Sequence, residues 1–263
     1  VIKVPSLSRL QLEGKVNELL SAYADTIGED ISLPIPIVEI AEHHLALEIE
    51  CVDLHALLGE PRRGNSAGIL GRMLVNEQKI QIDQSLDPTK NPRQLGRYRY
   101  SIGHEVGHWV LHRFILLRNQ KKAQKPIIVS REIREGVTPP DAEVQAEAFA
   151  SHILMPTQRV LDAWGERPPI AFSVFSHGSK DLSRLWVDRK AEPFLACSMY
   201  KAECNRWFDE FSAPLTKLFG VSNQAMRARL QALGLLRRAR RFTGLGQLPP
   251  PRRGPLEGIL RIP

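Results

Sequence analysis

Apolar residues at roughly helical spacing dominate the start of the chain, where Leu10, Val16, Leu19, Leu20 and Tyr23 predict an amphipathic helix from about Leu7 to Thr26. The pattern then breaks at Leu33-Pro-Ile-Pro-Ile37, with Pro36 placed to open a short helix. Residues Ala46 to Val52 have the β-branched and apolar character of a strand. Between Gly68 and Asp83, the runs Ile69-Leu70 and Met73-Leu74-Val75 precede the alternation Ile80-Gln81-Ile82, which predicts a small antiparallel hairpin or meander.

Two longer helices follow. Asn91 as N-cap with Pro92 at the first helical position starts one that should run to about Phe114. The polar, basic stretch from Arg118 to Val137 reads as a loop with a short element around Ile127 to Val129. Thr138-Pro139-Pro140-Asp141 then supplies a cap, a proline and an acid for a second helix running to Met155 and stopping at Pro156. Beyond it, Arg167-Pro168-Pro169 and Ser176-His-Gly-Ser179 mark irregular connections. Strand character is expected near Ala171 to Phe175 and near Pro193 to Tyr200, and helix from Ala202 to Gly234-Leu235-Leu236, broken at Gly220. These elements predict an α+β fold: a mainly helical core with a small antiparallel sheet (residues 1–165), a helical C-terminal region (166–236) and a basic, Pro-rich flexible tail (237–263).

Composition narrows the class. The chain has 263 residues, 43% hydrophobic and 25% charged, and no apolar run approaches the ~20 residues that span a bilayer, so no membrane role is expected. Val1-Ile-Lys-Val-Pro5 lacks the features of a secretory signal, and Cys51, Cys197 and Cys204 have no C-x-x-C spacing, which together predict a cytoplasmic setting. Without paired cysteines, any metal site must be built from histidines and carboxylates. The net charge of +7 is concentrated late in the chain, in Arg237-Arg238-Ala239-Arg240-Arg241 and in Arg252-Arg253 after Pro249-Pro250-Pro251. That segment reads first as a solvated tail and second as a source of weak DNA contact.

The chemistry sits in His104-Glu105-Val106-Gly107-His108, an H-E-x-x-H pattern in the middle of the first long predicted helix. Residues four apart on an α-helix are offset by only about 40° and one turn, so His104 and His108 present their imidazoles to one ion. Glu105 can then serve as general base for a water at the open coordination site. A catalytic zinc (Zn2+) needs a third protein ligand. The extended pattern with a third histidine is excluded, because Leu111 and Phe114 stand where it requires Gly and His. His112 shares the helical face, but a straight helix cannot wrap three successive turns around one ion, so hydrogen bonding beside the site or packing is its expected role. A carboxylate from the second helix remains, and both Glu143 and Glu147 are placed to supply it, on a helix otherwise rich in small and apolar residues.

The segment Tyr98-Arg-Tyr-Ser-Ile-Gly-His104-Glu-Val-Gly-His-Trp-Val-Leu-His112, followed by Glu143-Val-Gln-Ala-Glu-Ala-Phe149-Ala-Ser-His-Ile-Leu-Met-Pro156, resembles the ImmA/IrrE family of bacterial metallo-endopeptidases. The resemblance covers about residues 7 to 160. It implies a zincin-like core in which Glu143 is the third zinc ligand, while Glu147 stands where the family usually has asparagine. It also implies a substrate class, since members typically cleave a helix-turn-helix repressor and so release genes of mobile elements or stress responses. The expected function is therefore a cytoplasmic zinc endopeptidase acting on such a regulatory partner.

A second reading rests on Leu215 to Leu236, which is similar to the helices that often end the family's domain and also to a helix-turn-helix. Here Phe219-Gly220-Val221-Ser222 would be the turn, and Asn223, Gln224, Arg227 and Arg229 would face a groove. On that reading the protein is a DNA-associated regulator whose zinc site is structural or sensing. For the oxyanion-stabilising group, Tyr98, Tyr100, His112 and His152 are the available residues, and their spacing singles out none of them.

Overall fold

The structure is a computed structural model, describing residues 4–59, 69–123, 128–132, 141–166, 169–175 and 195–238. Two compact units divide the chain: Val1–Pro156 with Phe219–Val221, and Thr157–Leu218 with Ser222–Pro263.

In the first unit, helix α1 (Arg9–Ile27) starts at a Ser8–Gln11 capping box, ends at left-handed Gly28 and buries Leu12, Val16, Leu19 and Tyr23. Leu10, counted in the apolar pattern, is 80% exposed and lies off the buried face. As expected, Pro36 introduces a short helix, α2 (Ile37–Glu39), which continues into a π-helical turn over Ile40–His44. Strand β1 (Glu48–Val52) follows, then α3 (Leu54–Leu58), whose Asp53 cap had not been read as a helix start.

Strands β2 (Ile69–Leu74) and β3 (Lys79–Asp83) form the predicted antiparallel pair, and β4 (Ile128–Glu132) joins β2, also antiparallel. The sheet, ordered β1-β3-β2-β4, is mixed rather than wholly antiparallel, because β1 pairs with β3 in parallel. Helix α3 lies between β1 and β2 in the chain and packs on β2 and β3, so β1 and β2 are not joined by the tight turn of a hairpin. On one face, Met73, Ile80 and Ile82 are fully buried, and the register puts Gly71 opposite Ile82 on that face.

Helix α4 (Leu95–Ala123) packs on β2 and β3. It is entered through a tight turn, Pro92–Gln94, with the Asn91 side chain accepting from the Arg93 N–H. The helix runs beyond the expected end at Phe114, because the residues that follow (Leu116, Leu117, Arg118, Gln120, Lys121) are good helix formers uninterrupted by Gly or Pro. Just before that extension, Arg113 lays its guanidinium over Trp109 and Phe114 at 5.1 and 4.7 Å. Helix α5 (Asp141–Leu154) ends just short of Pro156, as predicted; the Thr138 cap lies outside the described residues.

Helices α4 and α5 pack closely because their facing residues are small. A Cβ on Gly107 would lie 3.1 Å from both Ala146 Cα and Phe149 Cβ, and one on Gly103 would lie 3.5 Å from Ala150 Cα. Interaxial distance follows side-chain size at the crossing, so this stripe sets how near α5 comes. Elsewhere in the unit, buried Arg99 donates from Nη2 to the Ile35 carbonyl at 2.6 Å and from Nε to the Gly220 carbonyl at 2.9 Å. Gly220 has φ +60°, the left-handed backbone expected where a helix is stopped, and a side chain there would meet Arg99 and Pro34 at 3.0 Å.

The second unit contains α6 (Thr157–Trp164), β5 (Ile170–Phe175), β6 (Leu195–Tyr200), α7 (Lys201–Phe219), α8 (Asn223–Ala232) and β7 (Leu236–Arg238), with a parallel sheet ordered β6-β5-β7. Strands β5 and β6 and the two helices fall near their predicted spans. Helix α6 is not among the expected elements, and β7 falls where the sequence predicts the end of a helix at Leu236 and the start of the flexible tail at Arg237, both of which pair with β5 instead. Leu236 pairs with Ile170, a partner far away in sequence that local periodicity does not report. Trp164, Phe208, Leu215, Met226 and Leu230 form this unit's core, with Trp164 edge-on to Phe211 at 5.6 Å. The Ser176–Ser179 connection and the basic tail beyond Arg238 lie outside the described residues. The fold is α+β, and among the described residues no helix is long and apolar enough to cross a membrane.

Candidate metal centre

His104, Glu105 and His108 occupy one turn of α4 on the face covered by α5 and the sheet, and all three are buried. The helical spacing brings the imidazoles together as expected, with ring centroids 4.8 Å apart and the two Nε2 atoms 3.1 Å apart. Across the close α4–α5 contact, Glu143 from the first turn of α5 brings Oε2 to 3.1 Å from His104 Nε2 and Oε1 to 3.4 Å from His108 Nε2. Among the described residues, His104, His108 and Glu143 are the set whose donor atoms cluster, all within 4.8 Å of one another.

Two donors each about 2.0–2.1 Å from a tetrahedral zinc stand about 3.3 Å apart; the His104 and His108 Nε2 atoms are at that spacing, and each has one of the two Glu143 oxygens at a similar distance. Two nitrogens and one carboxylate oxygen are also the donor set of a catalytic rather than a structural site. The ionisation states favour ligation. Burial pushes His108 from its usual 6.5 down to about 4, so its imidazole is neutral at neutral pH. For Glu143, burial acts upward, but its contacts with His104 and His108 outweigh that and hold the carboxyl at about 2, ionised.

Glu147, one turn beyond Glu143, approaches the other edge of the same ring: its Oε2 is 3.4 Å from His104 Nδ1. The two glutamates therefore divide His104 between them, Glu143 on the side of the donor cluster and Glu147 behind it, half-exposed. His112 is buried behind His108, with its Nδ1 3.2 Å from His108 Nδ1 and its Nε2 3.1 Å from Gln145 Oε1. Of the two roles expected of it, hydrogen bonding and packing, its contacts show the first.

Two residues of the site had not been singled out. A Cβ on Gly71 of β2 would lie 2.8 Å from Glu105 Oε1, so the strand can pass the Glu105 carboxylate only because it carries no side chain there. Gln145 backs His112 and donates to the Pro5 carbonyl at 2.8 Å. The Gly103/Gly107 and Ala142/Ala146/Ala150 spacing on the two helices was a readable signal of close packing. Nothing local marks Gly71, whose neighbour is 34 positions away.

The residues considered for oxyanion stabilisation are engaged elsewhere. Tyr98 bonds Cys51 and is pushed up to about 12 by burial and neighbouring negative charge. Tyr100 donates to the Glu147 carbonyl at 3.3 Å, and His152 contacts Ala148 O and Glu13. In α8, capped by Ser222, Gln224 is exposed while Asn223 and Arg227 are half-buried, and Arg227 lies over Phe208 at 4.3 Å. Arg229 departs from the groove-facing expectation: it is fully buried and donates to Thr157 Oγ1 at 2.9 Å, because its position on α8 points into the unit's core.

Comparison with known proteins agrees with the motif. Residues 90–177 match the model of a peptidase family, the IrrE N-terminal-like domain, a span that contains every donor of the cluster. No curated protein matches the chain.

Proposed function

Because residues 90–177 match the model of the IrrE N-terminal-like peptidase domain, we propose that the protein is a zinc-dependent endopeptidase acting inside the cell on a helix-turn-helix repressor or similar regulatory protein. The observation that carries the metallopeptidase reading is the convergence of His104, His108 and Glu143 donors from two helices, with Glu105 buried one residue from the first of them. In this reading His104, His108 and Glu143 hold the ion. When bound, zinc supplies Lewis acidity toward the scissile carbonyl and toward water.

Glu105 handles the proton. Its carboxylate takes one from the attacking water as the new carbon–oxygen bond forms, and returns it to the amine nitrogen as the carbon–nitrogen bond breaks. Burial between α4 and β2, with Gly71 leaving room for Oε1, keeps that carboxylate in one place and away from bulk water. The repressor as substrate is supported by the family resemblance, and the cytoplasmic setting by the cysteine pattern.

The test has two parts. Zinc content per chain should be about one for wild type and for Glu147→Ala, and lost in Glu143→Ala. Glu105→Gln should keep its zinc but fail to cut the repressor that wild type cuts. Cleavage undiminished in Glu105→Gln, or zinc retained in Glu143→Ala, would remove the corresponding assignment.

A further inference from the structure

His104 and His108 are equivalent in the motif but differ in what stands behind them. His104 Nδ1 faces the half-exposed Glu147 carboxylate at 3.4 Å, while His108 Nδ1 faces a buried imidazole at 3.2 Å. That second contact is the inner end of a longer chain, running Pro5 O, Gln145, His112, His108, with steps of 2.8, 3.1 and 3.2 Å. We propose that Gln145 and His112 are positioning residues that fix the tautomer of His108, keeping its proton on Nδ1 and its Nε2 bare toward the donor cluster. The inference rests on the reading that His104, His108 and Glu143 hold zinc.

The direction of the chain follows from its outer end. The Pro5 carbonyl can only accept, so the Gln145 amide must turn Nε2 toward it; the flipped amide would set two oxygens 2.8 Å apart. Gln145 Oε1 is thereby aimed at His112 and accepts from Nε2–H. A neutral His112 protonated at Nε2 has a lone pair at Nδ1, which accepts from His108 Nδ1–H. His108 then presents an unprotonated Nε2, as a ligand must. Glu143 Oε1 competes for the proton from the other side at 3.4 Å. Moving the proton there would leave two Nδ1 lone pairs facing each other at 3.2 Å, so the relay disfavours it.

Gln145 and His112 are both buried, so water does not replace a broken link of the chain. Without the relay, part of the His108 population would carry its proton on Nε2 and would have to give it up or move it before ligating. Loss of such a ligand-orienting partner typically weakens metal affinity about 10–100-fold.

The test reads the tautomer directly. Long-range nitrogen–proton NMR of the metal-free wild-type chain at neutral pH should show His108 protonated at Nδ1 and His112 at Nε2. Finding His108 protonated at Nε2 would overturn the proposal, and this measurement needs no variant. In Gln145→Leu and His112→Phe, the His108 signal should move toward the Nε2–H form, and zinc affinity in competition with a chromophoric chelator should fall about 10–100-fold. Affinities within about twofold of wild type in both variants, with the tautomer unchanged, would also overturn it. If the wild type binds no zinc, it is the zinc reading that fails, while the metal-free spectrum still decides the relay.

Discussion

Replacing Gly107 with alanine tests whether the third ligand is delivered by the close approach of two helices. The new Cβ would sit 3.1 Å from Ala146 Cα and Phe149 Cβ and 3.2 Å from Ala146 O, about 0.3 Å inside the 3.4 Å at which ordinary contact begins. Two of those atoms are backbone, so rotating a side chain cannot relieve the contact and α5 itself must back away. Glu143 rides on α5, one turn before Ala146, and would move with it. Metal–ligand distances tolerate only about ±0.2 Å, so a 0.3 Å retreat should weaken zinc binding by about tenfold, or ~1.4 kcal/mol.

Stability should respond in two opposing ways. Alanine gains about 1 kcal/mol over glycine in a helix interior, while overpacking costs about 1–3 kcal/mol. The expected net is a loss of up to about 2 kcal/mol. Urea denaturation of the metal-free protein and chelator competition for zinc measure the two terms separately. A variant stabilised by about 1 kcal/mol that binds zinc like wild type would refute the packing argument.

Gly71→Ala should act chiefly on Glu105, with a lesser contact at 3.3 Å from Ile82 Cδ1. Its Cβ would press on Oε1 at 2.8 Å, the movable end of a side chain, so peptidase activity should drop about 10–100-fold while zinc affinity and folding stay near wild type; weakened zinc binding would contradict this. In the metal-free protein, His108 is held near 4 by burial, so between pH 6.5 and 4 the unfolded chain takes up a proton that the folded one refuses. The stability it contributes should therefore be constant above pH 6.5 and be lost as pH falls through that window, with His108→Phe reducing the slope in urea titrations. Glu143, held at about 2, adds stability that is present above its ordinary 4.5 and lost as pH falls toward 2, so the two effects pull the same way. Arg99→Met should cost about 2–4 kcal/mol in thermal or urea unfolding, since it strips partners from two carbonyls; a change under about 0.5 kcal/mol would show those bonds to be replaceable.

How much of this was visible in the sequence depended on how local each signal was. Asn91-Pro92, Pro36, Pro156 and Gly220 marked boundaries that the structure keeps, because caps and breakers act within a few residues. The pair His104 and His108 was readable for the same reason, since a helix fixes what lies four residues apart. Glu143 and Glu147 could not be separated by periodicity, because one turn makes them neighbours on one face; the structure places them on opposite edges of the His104 ring. Strand β7, the parallel pairing of β1, the contact of Gly71 with Glu105 and the burial of Arg229 all depend on partners distant in the chain. The polar, basic stretch from Arg118 reads as loop from its polarity, although α4 continues through its first residues to Ala123, whose types favour helix.

The clamp made by Arg99 has a bearing on how the protein comes into being. Its guanidinium joins Ile35 to Gly220, and the first unit counts Phe219–Val221 among its own residues. As the chain emerges during synthesis, the last residue of the donor cluster, Glu143, is complete well before the segment that locks the unit shut. A nascent chain therefore holds the full donor set of the proposed zinc site before it has received its final fastening. Metal capture ahead of closure would then make zinc supply a participant in maturation as well as in activity.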